Sequence, residues 1–322
     1  ISRFINNHPD IAPETQKRIA EVISRLGYQP SAIARKLIQK RSQNLAVVAS
    51  GHEYYGPSGM AVVGIEQQAY ALGYSLLLRL LHPPETPHVE KVINDLLAQD
   101  VDGIIWAVPE IGENRSWWKK TKPVFRVPVI FLSMQAVPGL LVVAVDNRQG
   151  ARLATEHLLQ NGYRNIGMIT GPSGWWEVNE RVMGWRDALS SYGIIPGENQ
   201  ITPPGSWGPS TGEEGLRYLL KHFPEMDALF TSNDHQSLGA LKVAHELKIR
   251  VPQDLALVGF DNRPEAAYYY PPLTTVHQPL KEVGSLAVRE LHRIITGDAS
   301  EEDTGAILLQ PRLIVRESSC VR

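Results

Sequence analysis

From Leu45 onward, short apolar runs alternate with amphipathic stretches, and this alternation restricts the folds open to the chain more than any other feature. The runs are Leu45–Ala49, Leu76–Leu81, Gly103–Val108, Val129–Leu132, Leu141–Val145, Ile166–Thr170, Ala228–Thr231 and Leu255–Phe260. Between most of them, apolar residues recur at helical spacing: Val63–Leu72, Val89–Ala98, Arg148–Gln160, Val182–Tyr192, Gly215–Lys221 and Ser237–Leu247. Apolar runs this short have the length of buried strands. Strands that alternate with helices form parallel sheets covered on both faces. About 280 residues of this pattern exceed one core and imply two such sheets. Open α/β sheets bind ligands beyond the carboxyl ends of their strands, so the residues just after each run are candidates for a site.

The first 44 residues read differently. They hold eight Lys/Arg against three Asp/Glu, a net charge of +5, which leaves −7 for the rest of a chain whose total is −2. A basic head on an acidic body suggests a nucleic-acid-binding module joined to a part with another task. Ile19, Val22, Ile23 and Leu26 form one apolar stripe of a helix. Pro13 suits its first turn, Glu14 suits its positive end, and Gly27 ends it. After Pro30, Ser31 can cap a second segment, Ala32–Gln39, which is too short to be stable as a helix without a partner. Lys40–Asn44 reads as a linker.

Other classes are excluded by what the residues do not offer. The single cysteine, Cys320, permits no internal disulfide and no cysteine-based zinc site. No apolar run approaches the ~18 residues of a membrane span, and no leader is visible, so a cytoplasmic protein without membrane contact is expected. The ten histidines lack metal-ligand spacing, no phosphate-cradling glycine turn follows a strand, and no nucleophile–base cluster is present. No enzyme activity, cofactor or metal is therefore expected. A periplasmic sugar-binding protein would share the two-sheet body but not the basic head.

The segments Ser2-Arg3-Phe4-Ile5-Asn6-Asn7-His8-Pro9 and Leu26-Gly27-Tyr28-Gln29-Pro30-Ser31-Ala32-Ile33-Ala34-Arg35-Lys36-Leu37 resemble the head of the LacI/GalR family of bacterial transcription repressors. Further family blocks lie at the matching intervals: Val145-Asp146-Asn147, Arg181 with Gly184-Trp185, Ser232-Asn233-Asp234, Val258-Gly259-Phe260-Asp261-Asn262, and Pro271 through Gln278. The resemblance spans essentially the whole chain and is greatest to the lactose-repressor branch. It implies an α/β, periplasmic-binding-protein-like body of two doubly wound parallel-sheet subdomains, preceded by an all-α partial helix-turn-helix and a hinge helix. The implied boundaries are 1–44 for the head and hinge, 45–161 with 276–306 for one subdomain, and 162–275 with 307–322 for the other. Ile1 would lie inside the recognition helix, so weak operator binding by this chain is expected. No heptad tail follows the last strand, so a homodimer on a palindromic operator is expected.

The resemblance also assigns residues. In the head, Ser2 and Arg3 fall on the recognition helix, where the arginine can reach guanine O6 and N7. Thr15 and Tyr28 match phosphate contacts. Leu37 matches a leucine wedged into the minor groove, and Ala34 the small residue that lets two hinge helices approach. Ala12 replaces the usual serine cap, a cost of about 1 kcal/mol. In the body, Arg181, Asn233 and Asp261 match effector-binding positions. Asp261 also ends an apolar run, where the strand-end rule expects a ligand carboxylate. Asp234 is expected to cap the helix after it. Trp207 and Gln278 match the galactoside branch, with tryptophan on the sugar's apolar face and glutamine on its hydroxyls. Ser58 belongs to Tyr54–Gly59, which departs from the family's Asn-Pro-Phe-Phe and alters that wall. Ala107 is a second departure. A small sugar is thus the expected effector, a galactoside-like one in particular. The alternative is a purine-type corepressor, which Trp207 and Gln278 disfavour.

Overall fold

The computed structural model describes residues 11–26, 41–50, 58–81, 89–118, 126–299 and 304–320. The chain divides into two compact units, residues 1–43 and residues 44–322.

In the first unit, helix α1 (Pro13–Leu26) begins at the expected proline, with Glu14 in its first turn and Arg25 in its last, both favourable to the helix dipole. Gln16 donates its backbone N–H to the Ala12 carbonyl at 3.0 Å. None of the residues of α1 is buried. The expected hinge segment Ala32–Gln39 lies outside the described residues.

The second unit holds two sheets. The first runs in the order β10-β5-β4-β3-β1-β2, all parallel. Its strands are β1 (Asn44–Ser50), β2 (Ser75–Leu81), β3 (Gly103–Ala107), β4 (Val129–Leu132), β5 (Leu141–Val145) and β10 (Gly305–Leu309). The second runs β11-β9-β8-β7-β6, parallel except for the antiparallel β11. It comprises β6 (Ile166–Ile169), β7 (Ala228–Thr231), β8 (Ala256–Asp261), β9 (Thr274–His277) and β11 (Arg312–Ile314).

Successive side chains of a strand face opposite sides, and the cores obey this alternation. On one face of the first sheet, Ala46, Val48, Ile104, Trp106 and Phe131 pack under α3 (Val89–Leu97). On the other, Leu45, Val47, Ile105 and Ile130 pack under α2 (Ser58–Ala71) and α8 (Leu280–Thr296). Helices α2 and α8 cross so closely that a methyl added at Gly284 would overlap the Ala61 carbonyl oxygen. The second sheet is layered in the same way. Met168, Phe230, Val258 and Phe260 meet α4 (Asn147–Gln160) and α5 (Trp176–Ser191). Ile169, Leu229 and Leu257 meet α6 (Pro209–His222) and α7 (Asp234–Glu246).

The sheets move the expected subdomain boundaries. Helix α4 follows a strand of the first sheet, yet its Ala151, Ala154 and Leu158 pack against the second. The first crossing therefore falls at Asp146, not after residue 161. The expected changes at 275/276 and 306/307 would cut β9 and β10, whose backbone ladders keep each strand within one sheet. The crossings come after His277 and after Leu309. Helix α8 and strands β9, β10 and β11 lie outside the runs read from the sequence.

Candidate functional site

A cleft of about 370 Å³ opens between the two sheets of the second unit, at the carboxyl ends of β1, β3, β5 and β8. This is where strand ends leave backbone and side chains free to meet a ligand. Asn147 and Gln278, each next to a crossing between the sheets, also face it.

Arg181 sits one turn into α5, above the end of β8. Its helix is held close to α4, where a methyl at Gly184 would overlap the Arg148 carbonyl. The Arg181 side chain is buried. Its Nε donates to Asn147 Oδ1 at 2.9 Å and its Nη1 to the Ser232 carbonyl at 2.5 Å. The guanidinium stacks 3.9 Å from the centre of the Phe260 ring and 5.5 Å from that of Trp207, a cation–π arrangement that orients the fork. Burial lowers its pKa, partly offset by Asp261, whose Oδ1 lies 4.0 Å from Nη1.

Asp261 closes β8 with φ 114, followed by Asn262 at φ 53. Backbone this far into positive φ is strained for a residue with a Cβ and is characteristic of functional positions. Gln278 Nε2 donates to Asp261 Oδ1 at 2.7 Å. Burial raises the Asp261 carboxyl to about 6 against the opposing pull of Arg181.

Asn233, itself expected at the effector, takes the capping role expected of Asp234. Asn233, not Asp234, caps α7: its Oδ1 accepts from the Gln236 N–H at 2.8 Å. Its Nδ2 donates to the Trp207 carbonyl at 3.0 Å. Asn233 thus anchors the tryptophan loop, and both ends of its amide are engaged. Asp234 is buried behind the cleft, where its oxygens accept from Thr275 Oγ1 at 2.6 Å and from the Arg263 N–H at 2.7 Å. Burial holds it up to about 8. Two adjacent residues that both cap helices well cannot be told apart by type.

Arg181, Trp207, Asn233, Asp261 and Gln278 therefore share one cleft. Ala107 also lines it. Ser58 opens α2, and its side chain lies outside the described residues. Of the DNA-contact candidates, Thr15 is exposed in the first turn of α1. Ser2, Arg3, Tyr28, Ala34 and Leu37 lie outside the described residues.

The structure adds wall residues that no motif marked. Trp175 stands edge-on to Trp207, ring centres 5.3 Å apart at 82°. Glu177 follows on the first turn of α5 and reaches into the cleft. Its Oε2 is buried without a hydrogen-bond partner among the described residues, and burial raises its carboxyl to about 7. Just outside, the two lobes join through backbone. Ile111 and Trp175 form an antiparallel bridge. Gly112 N–H donates to the Gly174 carbonyl at 2.9 Å, and Trp176 N–H to the Glu110 carbonyl at 3.1 Å. Trp176 packs against the first lobe's core beside Trp117 and Trp118.

The cleft thus combines apolar indole surface with a guanidinium, a carboxylate and an amide, partners for C–H groups and for hydroxyls. Among the described residues, no group of three or more His, Cys, Asp or Glu is placed to hold a metal ion, and no helix is long and apolar enough to cross a membrane.

The profile of a family described as periplasmic binding protein-like domain matches residues 155–319. The HTH-type transcriptional repressor PurR of Edwardsiella ictaluri is 30% identical over 99% of this chain and 92% of its own length. The solved lac repressor dimer bound to operator and the anti-inducer ONPF superposes with a TM-score of 0.83, at 26% identity over 99% of this chain and 94% of that one. The transcriptional regulator CelR in complex with cellobiose superposes with a TM-score of 0.75, at 28% identity over 98% of this chain and 94% of that one. With relatives matched along nearly their whole length, and with its two-sheet body, the chain belongs to the LacI/GalR family of transcription repressors.

Proposed function

We propose that this chain is a repressor whose affinity for a palindromic operator is controlled by a small, galactoside-like sugar held between the two lobes of its body. The observation that carries this reading is the convergence of Arg181, Asp261 and Gln278 with the Trp207 and Trp175 rings in one cleft. Sugars present hydroxyls at their edges and C–H groups on their faces, and this cleft offers a partner for each. Two similar structures, one holding cellobiose and one holding operator and ONPF as a dimer, support a saccharide effector, DNA as target and a homodimer as the working form. The basic head supports the DNA half: exposed Thr15 suits a phosphate contact, with Ser2, Arg3, Tyr28, Ala34 and Leu37 as the remaining contacts. The sugar shifts operator affinity only by its different affinities for the two lobe arrangements.

Calorimetric titration with lactose, cellobiose, galactose, glucose and ribose tests the effector half. At least one should bind, and Asp261→Ala should abolish its heat. No heat with any of them, or full affinity in Asp261→Ala, overturns the reading. Gel retardation against a library of palindromic duplexes, with and without the bound sugar, tests the regulatory half. Identical retardation in both cases overturns it.

A further inference from the structure

The described cations that line the cleft are already engaged, whereas one carboxylate, held at one oxygen by its own backbone N–H, leaves the other oxygen without a partner among the described residues. Arg181 is committed to Asn147 and the Ser232 carbonyl and stands beside Asp261. Arg263 Nε donates to Glu265 Oε1 at 2.5 Å, and His235 Nε2 lies 3.8 Å from the same carboxylate. Glu177 is four residues before Arg181 on α5, the spacing of a helical ion pair, yet Arg181 turns its donors elsewhere. Arg115, in the loop after β3, attracts Glu177 through space and gives its Nη2 to the Val108 carbonyl, while its Nε and Nη1 have no hydrogen-bond partner among the described residues. Glu177 Oε2 therefore stays buried and unpartnered at the cleft wall. A buried acceptor in this state gains most from a ligand that brings O–H donors, and loses most from one that brings negative charge.

We propose that the effector is an uncharged saccharide whose hydroxyls donate to the Glu177 carboxylate, and that Glu177 makes the cleft reject sugars carrying a phosphate or carboxylate at that end. This rests on the sugar reading of the cleft and names the class of sugar. The groups facing Glu177 are its own backbone N–H, Arg181 from its own helix, and Arg115 and Glu110 from the loop after β3. Burial holds its carboxyl up to about 7, so hydroxyl donors that favour the ionised form should bind more tightly as pH rises from 6 to 8.

The test is calorimetry on the full chain with matched probes, galactose against galacturonate and glucose against glucose 6-phosphate. Wild type, Glu177→Gln and Glu177→Ser are compared, with circular dichroism to verify folding. Wild type should prefer the neutral member by about tenfold or more, as hydrogen bonds to charged groups allow. Both variants should shrink that preference by about tenfold and lose the rise in affinity between pH 6 and 8. An unchanged preference in both variants, or tighter binding of the charged member by wild type, overturns the role of Glu177 and leaves the sugar cleft standing. Failure of every probe to bind wild type overturns the sugar reading itself.

Discussion

Replacing Glu177 by Gln should stabilise the free protein at pH 8 and leave it nearly unchanged at pH 5. The carboxyl moves from an ordinary 4.5 to about 7, chiefly because burial disfavours its charged form. Between those values the folded chain holds a proton that the unfolded chain has released. Stability therefore falls as pH rises through this window, and the whole penalty is felt above about 7. At 1.36 kcal/mol per pH unit this amounts to about 3 kcal/mol, and partial hydration at the cleft mouth brings it to about 2–3 kcal/mol. Glutamine keeps the shape and carries no charge, so it escapes the penalty. For a body of this size the gain corresponds to roughly 3–5 °C in melting temperature. Asp234 and Asp261, also raised by burial, are present in both proteins and cancel in the comparison. The assay is differential scanning calorimetry of both proteins without ligand at pH 5, 6, 7 and 8. Curves that run parallel across this range, or a glutamine variant that melts lower at pH 8, would refute the burial argument.

Arg181→Lys keeps the charge but loses the fork that serves Asn147 and Ser232 together. Sugar affinity should fall at least about tenfold by calorimetry, with a loss of stability of about 1–3 kcal/mol in urea melts. Asn233→Ala removes both the α7 cap and the tether on the Trp207 carbonyl. It should cost about 1–2 kcal/mol in the same melts and weaken sugar binding through a misplaced indole. Gly284→Ala drives a methyl into the Ala61 carbonyl and forces α2 and α8 apart, with an expected loss of about 2–4 kcal/mol and no direct effect on cleft contacts.

Much of the architecture was legible because buried parallel strands are written as continuous apolar runs, and Leu45–Ala49 or Leu255–Phe260 have few other uses. Strand β9 was hidden by composition: Thr274 and Thr275 are fully buried, but their hydroxyls are satisfied by neighbours such as Asp234 and the Arg316 backbone. The edge strands β10 and β11 were hidden because their half-exposed residues follow no clear pattern. Local sequence shows that α4 is a helix, but not which sheet it covers, since that depends on the distant Phe260 and Val276. The same distinction applies to the cleft. Arg181, Asp261 and Gln278 sit in recognisable blocks at strand ends and crossings. Glu177 resembles any acidic residue in a first helical turn, and only the engagement of Arg181 elsewhere singles it out.

The Trp175–Trp176 pair gives the cleft a mechanical property. One indole faces the ligand space while its neighbour is lodged in the opposite lobe, and the peptide between them is tied to Glu110. The shared peptide plane is thus held to the first lobe, while each indole keeps its own χ rotations. An occupant met by rotation of the Trp175 indole leaves the backbone bridge whole, whereas one that shifts the Trp175 backbone strains it. Ligand thickness at this single point would then act as a lever on the posture of the lobes, so that two sugars of equal affinity could have opposite effects.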